Sequence, residues 1–156
     1  MSEGMPLRIH DGHGIRVAVA RARYNDHITS GLLAGAEEYL QAAGAEYDVY
    51  EVPGAFELPL LCAELADGEY DAVIALGAVI NGETDHYEHV AGRASEGLMR
   101  VALQSRKPVM FGVLTVQAEA HAIARSQPGP GNKGAEAAAA AIETVLVIRN
   151  IPVRQL

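Results

Sequence analysis

Apolar runs alternate with amphipathic segments along the chain, and this alternation predicts its elements. The stretch Asp71–Ile80, DAVIALGAVI, is almost entirely apolar, as expected for a central parallel strand covered on both faces. Residues from His27 to Ala43 place apolar or small side chains on one helical stripe, and Gly44 is a natural helix stop. The same patterning predicts strands over residues 15–22, 47–52, 71–80 and 109–115. It predicts helices over residues 27–43, 57–66, 86–104, 118–126 and 133–150.

Strands that alternate with helices imply right-handed crossovers and a parallel sheet. The sequence therefore predicts an α/β fold, a three-layer αβα sandwich around a four-stranded parallel sheet. Residues 1–14 are polar, and we expect an N-terminal arm there, mobile or docked on a neighbour, before a single domain over residues 15–156. Asp26 is expected to cap the first helix through its carboxylate. The segment Gln127–Gly131, QPGPG, alternates helix breakers and should be irregular.

Composition narrows the classes of function. The chain has 156 residues, with 12 Lys and Arg against 20 Asp and Glu, and a net charge of −8. This charge disfavours nucleic acid as a partner. The only cysteine, Cys62, excludes an internal disulfide, fits a reducing cytoplasm, and is expected to be a buried structural thiol. No apolar run approaches the roughly 20 residues of a membrane span, and the N-terminus is too polar for a signal peptide.

Ligands of open α/β sheets bind beyond the carboxyl ends of the strands. The first such loop carries Tyr24 and Asn25, which could stack on a flat heterocycle and hydrogen-bond its substituents. The alternative is a surface tyrosine that covers the sheet edge. The second loop carries Glu57, whose carboxylate could accept hydrogen bonds from a polyol, or could simply be a favourable charge at a helix start.

The third loop, Asn81–His86, leads into a long helix and offers backbone N–H groups to an anion such as phosphate. Thr84 adds a hydroxyl, and His86 can give or take a proton near neutral pH. Simple helix capping by Thr84 and Asp85 is the alternative. A metal site on His86 and His89 is disfavoured, because no further Cys or His stands at a suitable spacing.

Arg125 and the segment GNKG at residues 131–134 form the fourth region. An arginine can fork two N–H groups onto a phosphate. The segment does not match the phosphate loop of nucleotide-binding proteins, because Ala135 follows its last glycine. ATP and GTP are therefore not expected as ligands.

Six motifs together resemble the 6,7-dimethyl-8-ribityllumazine synthase family, in the family's order over about residues 15–149. They are Tyr24-Asn25, VPGAFELP at 52–59, DAVIALGAVINGETDHYEHV at 71–90, PVMFGVLT at 108–115, Arg125 and GNKGAEAA at 131–138. The resemblance implies a flavodoxin-like fold and a transferase of riboflavin biosynthesis. That enzyme condenses 5-amino-6-(D-ribitylamino)uracil with 3,4-dihydroxy-2-butanone 4-phosphate and releases phosphate and water. It implies no metal and no organic cofactor.

The resemblance also assigns roles by position. His86 would be catalytic and shuttle protons. The phosphate would be bound by Gly82, Glu83, Thr84 and Arg125. The substrates would also be held by Lys133, which would lie close to the ring or the phosphate, and by Tyr24, Asn25, Ala55, Phe56, Glu57, Val79, Ile80 and Phe111. Phe111 and Arg125 would come from a neighbouring subunit, because the family's site lies between adjacent subunits.

Family members assemble as pentamers, decamers or sixty-subunit shells, and the compact spacing from Arg125 to Lys133 is similar to that of shell-forming members. The chain departs from the family at Ala120-His121, where Glu-Gln is usual, and at Asn81, where Arg is common. The departure at Ala120-His121 motivates one alternative, an assembly subunit of this fold with reduced or lost activity. A receiver-like binding module is a further alternative, disfavoured because the first strand does not end in paired acids.

Overall fold

The computed structural model describes residues 7–153, which form one parallel sheet with helices on both faces. The strands are β1 (Arg16–Ala22), β2 (Glu46–Val52), β3 (Ala72–Ile80) and β4 (Val109–Val116). The α-helices are α1 (Asp26–Ala43), α2 (Leu58–Ala66), α3 (His86–Ser105), α4 (Glu119–Ala124) and α5 (Lys133–Arg149), and a 3-10 turn (Ala55–Glu57) precedes α2. The predicted bounds differ from these by at most two residues, which is ordinary at element ends. Within the described range, every helix is too short or too polar to span a bilayer.

The sheet has the strand order β2–β1–β3–β4, and each neighbouring pair is parallel. The predicted α/β fold with a four-stranded parallel sheet is therefore confirmed. Strand β3 lies inside the sheet and is buried throughout except at Ile80, which explains its unbroken apolar run. Strands β2 and β4 form the edges, and β2 leaves most of its side chains exposed or half-buried.

Helices α1 and α5 cover one face of the sheet, and α2 and α3 cover the other. Successive residues of β3 alternate between these layers: Ile74 and Leu76 pack on the α1 and α5 side, and Val73 and Ala75 on the α2 and α3 side. The predicted three-layer sandwich is therefore confirmed. Cys62 is fully buried in the second layer, and this burial raises its pKa to about 12, as suits a structural thiol.

Helices α1 and α5 pack so closely that a side chain could not fit between them. A Cβ atom at Gly134 would lie 1.8 Å from the carbonyl oxygen of Leu32. The start of α5 is also held by Asn132, whose Oδ1 accepts from the Ala135 N–H (3.0 Å) and whose Nδ2 donates to the Gly31 carbonyl (3.1 Å). The first residues of α5 are therefore fixed against α1.

Predictions about where helices start and stop have different outcomes. Gly44 ends α1 in the left-handed conformation (φ 77°), and Gln127–Gly131 contains neither helix nor strand, both as predicted. The prediction that Asp26 caps α1 is wrong. Asn25 occupies the cap position, and the Asp26 carboxylate instead accepts from Arg21 Nη1 at 2.8 Å. A guanidinium is a charged donor and therefore outcompetes a backbone N–H for the carboxylate.

The described part of the N-terminal arm packs on α1 of its own chain. The Tyr39 hydroxyl donates to the Arg8 carbonyl (2.6 Å), and the His10 N–H donates to the Tyr39 hydroxyl (3.1 Å). Residues 1–6 of the predicted arm and residues 154–156 of the predicted domain lie outside the described residues.

Candidate active site

The predicted site residues fall into two groups in the structure. The loop group lies at or just beyond the carboxyl ends of β1, β2 and β3, the ligand-binding edge of open α/β sheets. It comprises Tyr24, Asn25, Ala55, Phe56, Glu57, Val79, Ile80, Gly82, Glu83, Thr84 and His86. The edge group comprises Phe111, Arg125 and Lys133, which line a cleft beside the edge strand β4.

The turn between β1 and α1 presents an aromatic ring to solvent. Tyr24 is 74% exposed, while its backbone N–H donates to the Pro53 carbonyl at 2.8 Å. Asn25 adopts the left-handed conformation (φ 63°, ψ 47°), and its Nδ2 donates to the Ala78 carbonyl at 3.0 Å. A ring this exposed covers little of its own chain, and its backbone is fixed, so it is well placed to stack on a flat ligand.

The loop after β2 holds a carboxylate and a second exposed aromatic ring. Glu57 Oε2 accepts from the Gly54 N–H at 3.0 Å, so the helix-start role considered for Glu57 is present. An ionised carboxylate has several acceptor sites, and one such bond leaves capacity for ligand hydroxyls. Phe56 is 60% exposed, whereas Ala55 is buried, so Ala55 offers a ligand mainly its backbone.

The loop after β3 is tied to the end of β4. The Asn81 N–H donates to the Val116 carbonyl (2.9 Å), and Asn81 Nδ2 donates to Gln117 Oε1 (2.6 Å). The residue that departs from the family pattern thus connects two loops of this edge. The side chains of Val79 and Ile80 pack into opposite layers, so the end of β3 presents mainly backbone.

Residues 82–86 are all exposed at the start of α3. Thr84 Oγ1 accepts from the His86 N–H at 3.3 Å, so Thr84 helps to close the helix start. Asp85 holds the cap position, but its carboxylate lies 3.2 Å from His89 Nε2 and makes no capping bond. Among the described residues, no cluster of three or more His, Cys, Asp or Glu could hold a metal ion.

The edge cleft combines an aromatic ring with two cations in a volume of about 350 Å³. Phe111 is 45% exposed although it lies in a strand. Lys133 Nζ lies 2.8 Å from Glu136 Oε2, and both side chains are more than four-fifths buried. Arg125 Nη1 donates to the His121 carbonyl at 3.0 Å. Glu136 lines the same cleft, which therefore places two cations and one carboxylate beside an apolar surface.

The two groups do not share one cleft within a single chain. Phe111 pairs with Ala75 in the middle of the sheet, whereas Val79 pairs with Thr115, four residues further along β4. At about 3.3 Å per residue, Phe111 lies about 13 Å back from the ligand-binding edge. Among the described residues, none of the loop group lines the edge cleft.

Sequence reasoning missed the contact that anchors α4, the helix that leads to Arg125. His27 Nε2 lies 2.6 Å from Glu119 Oε1, across 92 positions of sequence. No local pattern could reveal a pair so far apart. The family departure at Ala120 and His121 lies on this helix, directly after the anchored glutamate.

Comparison with known proteins gives a consistent result over nearly the whole chain. The family model for 6,7-dimethyl-8-ribityllumazine synthase matches residues 14–149. The chain is 50% identical over 142 residues to the protein of that name from Thermus thermophilus, covering 88% of this chain and 90% of the relative. It is 47% identical over 152 residues to the protein of the same name from Kineococcus radiotolerans, covering 96% of this chain and 94% of the relative. The namesake from Leifsonia xyli is 47% identical over 141 residues, covering 89% of each chain. The chain therefore belongs to the 6,7-dimethyl-8-ribityllumazine synthase family.

Proposed function

We propose that this chain condenses 5-amino-6-(D-ribitylamino)uracil with 3,4-dihydroxy-2-butanone 4-phosphate to give 6,7-dimethyl-8-ribityllumazine, phosphate and water. The family match over residues 14–149 carries this proposal. The chain also offers chemical groups that suit the reaction, which are exposed rings, a carboxylate, an exposed loop at a helix start and a histidine. Nothing in the described residues favours an inactive assembly subunit over this enzyme.

In this proposal, the uracil substrate lies against the loop group. The exposed ring of Tyr24 stacks on the pyrimidine, and backbone at the end of β3 lines the ring pocket. Asn25, Ala55 and Glu57 hold the ribityl chain by hydrogen bonds. Phe56, exposed beside Glu57, adds apolar contact at this end of the site.

The phosphate of the second substrate lies at the start of α3. Residues 82–84 are exposed there, and the free N–H groups of a helix start favour an anion. Glu83 contributes its backbone N–H, since its carboxylate would repel phosphate. Arg125 and Lys133 of a second copy supply the positive charge, Arg125 through a forked contact.

His86 moves protons as the amine of the uracil condenses with the ketone and as phosphate departs. It stands exposed at the mouth of the phosphate loop, next to the group that leaves. Holding two substrates together can lower the activation free energy by roughly 7–11 kcal/mol. One positioned acid–base group accelerates the reaction by about 10²–10⁴-fold, which corresponds to only about 3–5 kcal/mol. Orientation therefore supplies the larger share of the rate.

We infer that the enzyme works as a homo-oligomer built from pentamers, which can extend to a sixty-subunit shell. The separation of the loop group from the edge group supports this, because a second copy can bring its edge cleft to the loops of the first. Such head-to-tail contacts form a ring when the rotation between copies closes. The lone buried cysteine supports a cytoplasmic location.

Turnover with both purified substrates tests the proposed function. Lumazine absorbance and inorganic phosphate are followed in parallel, with each substrate omitted in turn as a control. We expect equal release of both products, dependent on both substrates. A well-folded oligomer that releases neither product would contradict the proposal.

A further inference from the structure

A buried guanidinium lies beside the turn that carries Tyr24 and Asn25. Arg21, near the end of β1, is only 8% exposed. Its Nη1 donates to Asp26 Oδ1 at 2.8 Å, and its Nη2 lies 3.2 Å from Glu51 Oε1. Burying a charge is costly unless opposite charges accompany it, so these two carboxylates are what allow an arginine here.

The two carboxylates belong to different loops of the proposed uracil site. Asp26 is the first residue of α1 and directly follows Asn25. Glu51 lies in β2, where it pairs with Arg21 in the strand register, shortly before the loop that carries Ala55–Glu57. One guanidinium therefore connects the turn after β1 to the strand that leads into the loop after β2.

The turn itself needs such support. Asn25 is one of two described non-glycine residues with positive φ. Asparagine tolerates this conformation better than most residues, but it still costs free energy that the surrounding contacts must offset. The Tyr24 N–H bond to Pro53 and the Asn25 amide bond to Ala78 hold the turn from two sides. The Arg21–Asp26 ion pair holds the turn from a third side, at the point where α1 begins.

We propose that Arg21 is a positioning residue for the uracil substrate: it fixes the Tyr24–Asn25 turn against the loop after β2, without touching substrate. This inference rests on the proposed function for its assignment of the two loops to one substrate. Arg21 should affect the binding of the uracil substrate alone, because neither loop belongs to the proposed phosphate site.

The substitution Arg21→Met removes the charge and keeps an apolar stem in the core. Asp26 and Glu51 side chains are 69% and 43% exposed, so both stay hydrated and the variant is expected to fold. We expect KM for the uracil substrate to rise about tenfold, as loss of orientation predicts, while KM for the phosphate substrate stays within about twofold of wild type. Amide hydrogen exchange over residues 23–28 should become faster.

Arg21→Lys provides the conservative comparison. A lysine keeps the charge but cannot fork to two carboxylates, so KM for the uracil substrate should fall between the wild-type and methionine values.

Arg16→Met is the matched control, since Arg16 contacts two carboxylates, Asp48 and Glu69, each at 3.4 Å, at the opposite end of the same strand. It should leave both KM values and the exchange of residues 23–28 unchanged. The inference is overturned if Arg21→Met leaves the uracil KM at its wild-type value, or if Arg16→Met raises it equally. If the wild-type protein itself forms no lumazine, the proposed function fails. Amide hydrogen exchange over residues 23–28 needs no turnover and then tests the role of Arg21 alone. Exchange that is unchanged in Arg21→Met would overturn that role.

Discussion

At the scale of single residues, His86 tests how catalysis is divided between proton transfer and orientation. It stands at the exposed start of α3 with its N–H bound to Thr84. We expect His86→Ala to lower kcat by about 10²–10⁴-fold without abolishing it, because the substrates remain oriented. His89→Ala, which loses only a contact to Asp85, is the control and should keep nearly full turnover. Complete loss of activity in an assembled His86→Ala protein would contradict this division.

Arg125 tests where the phosphate lies. Its guanidinium lines the edge cleft together with Lys133. Arg125→Ala should raise KM for the phosphate substrate by about tenfold or more, since a charge-assisted contact to phosphate is lost, with little change in KM for the uracil substrate. Arg100→Ala removes an exposed arginine that pairs with Glu96 on α3, and should change neither KM. An unchanged phosphate KM in Arg125→Ala would mean that another residue binds the phosphate.

Some candidate site residues can be selected from a single chain and others cannot, for a physical reason. Tyr24 and Glu57 lie in the loops after β1 and β2, so the rule that ligands bind at carboxyl ends points to them from one chain. Phe111 lies in mid-strand and is exposed only because β4 is an edge, so no rule for a single chain could select it. Arg21 was missed because its partner Glu51 comes from another strand, which local sequence does not reveal.

At the scale of elements, a prediction from local pattern succeeded and one that depended on a contact between elements failed. The apolar run of β3 predicted its strand correctly, because both faces are covered. The cap of α1 was predicted wrongly, since the carboxylate of Asp26 found a charged partner on β1. Element order follows from local patterns, whereas the contacts at element ends depend on the assembled fold.

The contact between α1 and α5 makes a sharp prediction about stability. A methyl group at Gly134 would overlap the Leu32 carbonyl oxygen at 1.8 Å. The Gly134 Cα that would carry it and the Leu32 carbonyl both belong to helical backbone, so neither can move aside easily. Gly134→Ala should therefore destabilise the fold by about 3 kcal/mol or more. The matched control is Gly92→Ala on α3, where nothing lies within 4 Å of the added carbon. It should be neutral or stabilising by up to about 1 kcal/mol.

Urea unfolding of both variants measures these differences. Equal stability of Gly134→Ala and wild type would show that α1 and α5 can separate without cost. That result would also remove the reason for regarding the start of α5, and with it Lys133, as fixed in place.

At the scale of the whole molecule, one chain carries the two groups of candidate site residues on different surfaces. The loops after β1, β2 and β3 carry the groups proposed for the uracil ring, the ribityl chain and proton transfer. The cleft beside β4 carries the ring of Phe111 and two cations. The central claim is therefore that each active site uses the loops of one copy and the edge cleft of another.

Reassembly of two defective variants in equal amounts tests this claim most directly. One variant carries Tyr24→Ala and His86→Ala in the loop group, and the other carries Phe111→Ala and Arg125→Ala in the edge group. In a randomly mixed ring, about one quarter of the sites combine an intact half from each variant. We therefore predict recovery of about one quarter of wild-type turnover at low substrate concentration, with each variant reassembled alone as the control. A mixture that stays at the mean activity of the two variants would contradict a site shared between copies.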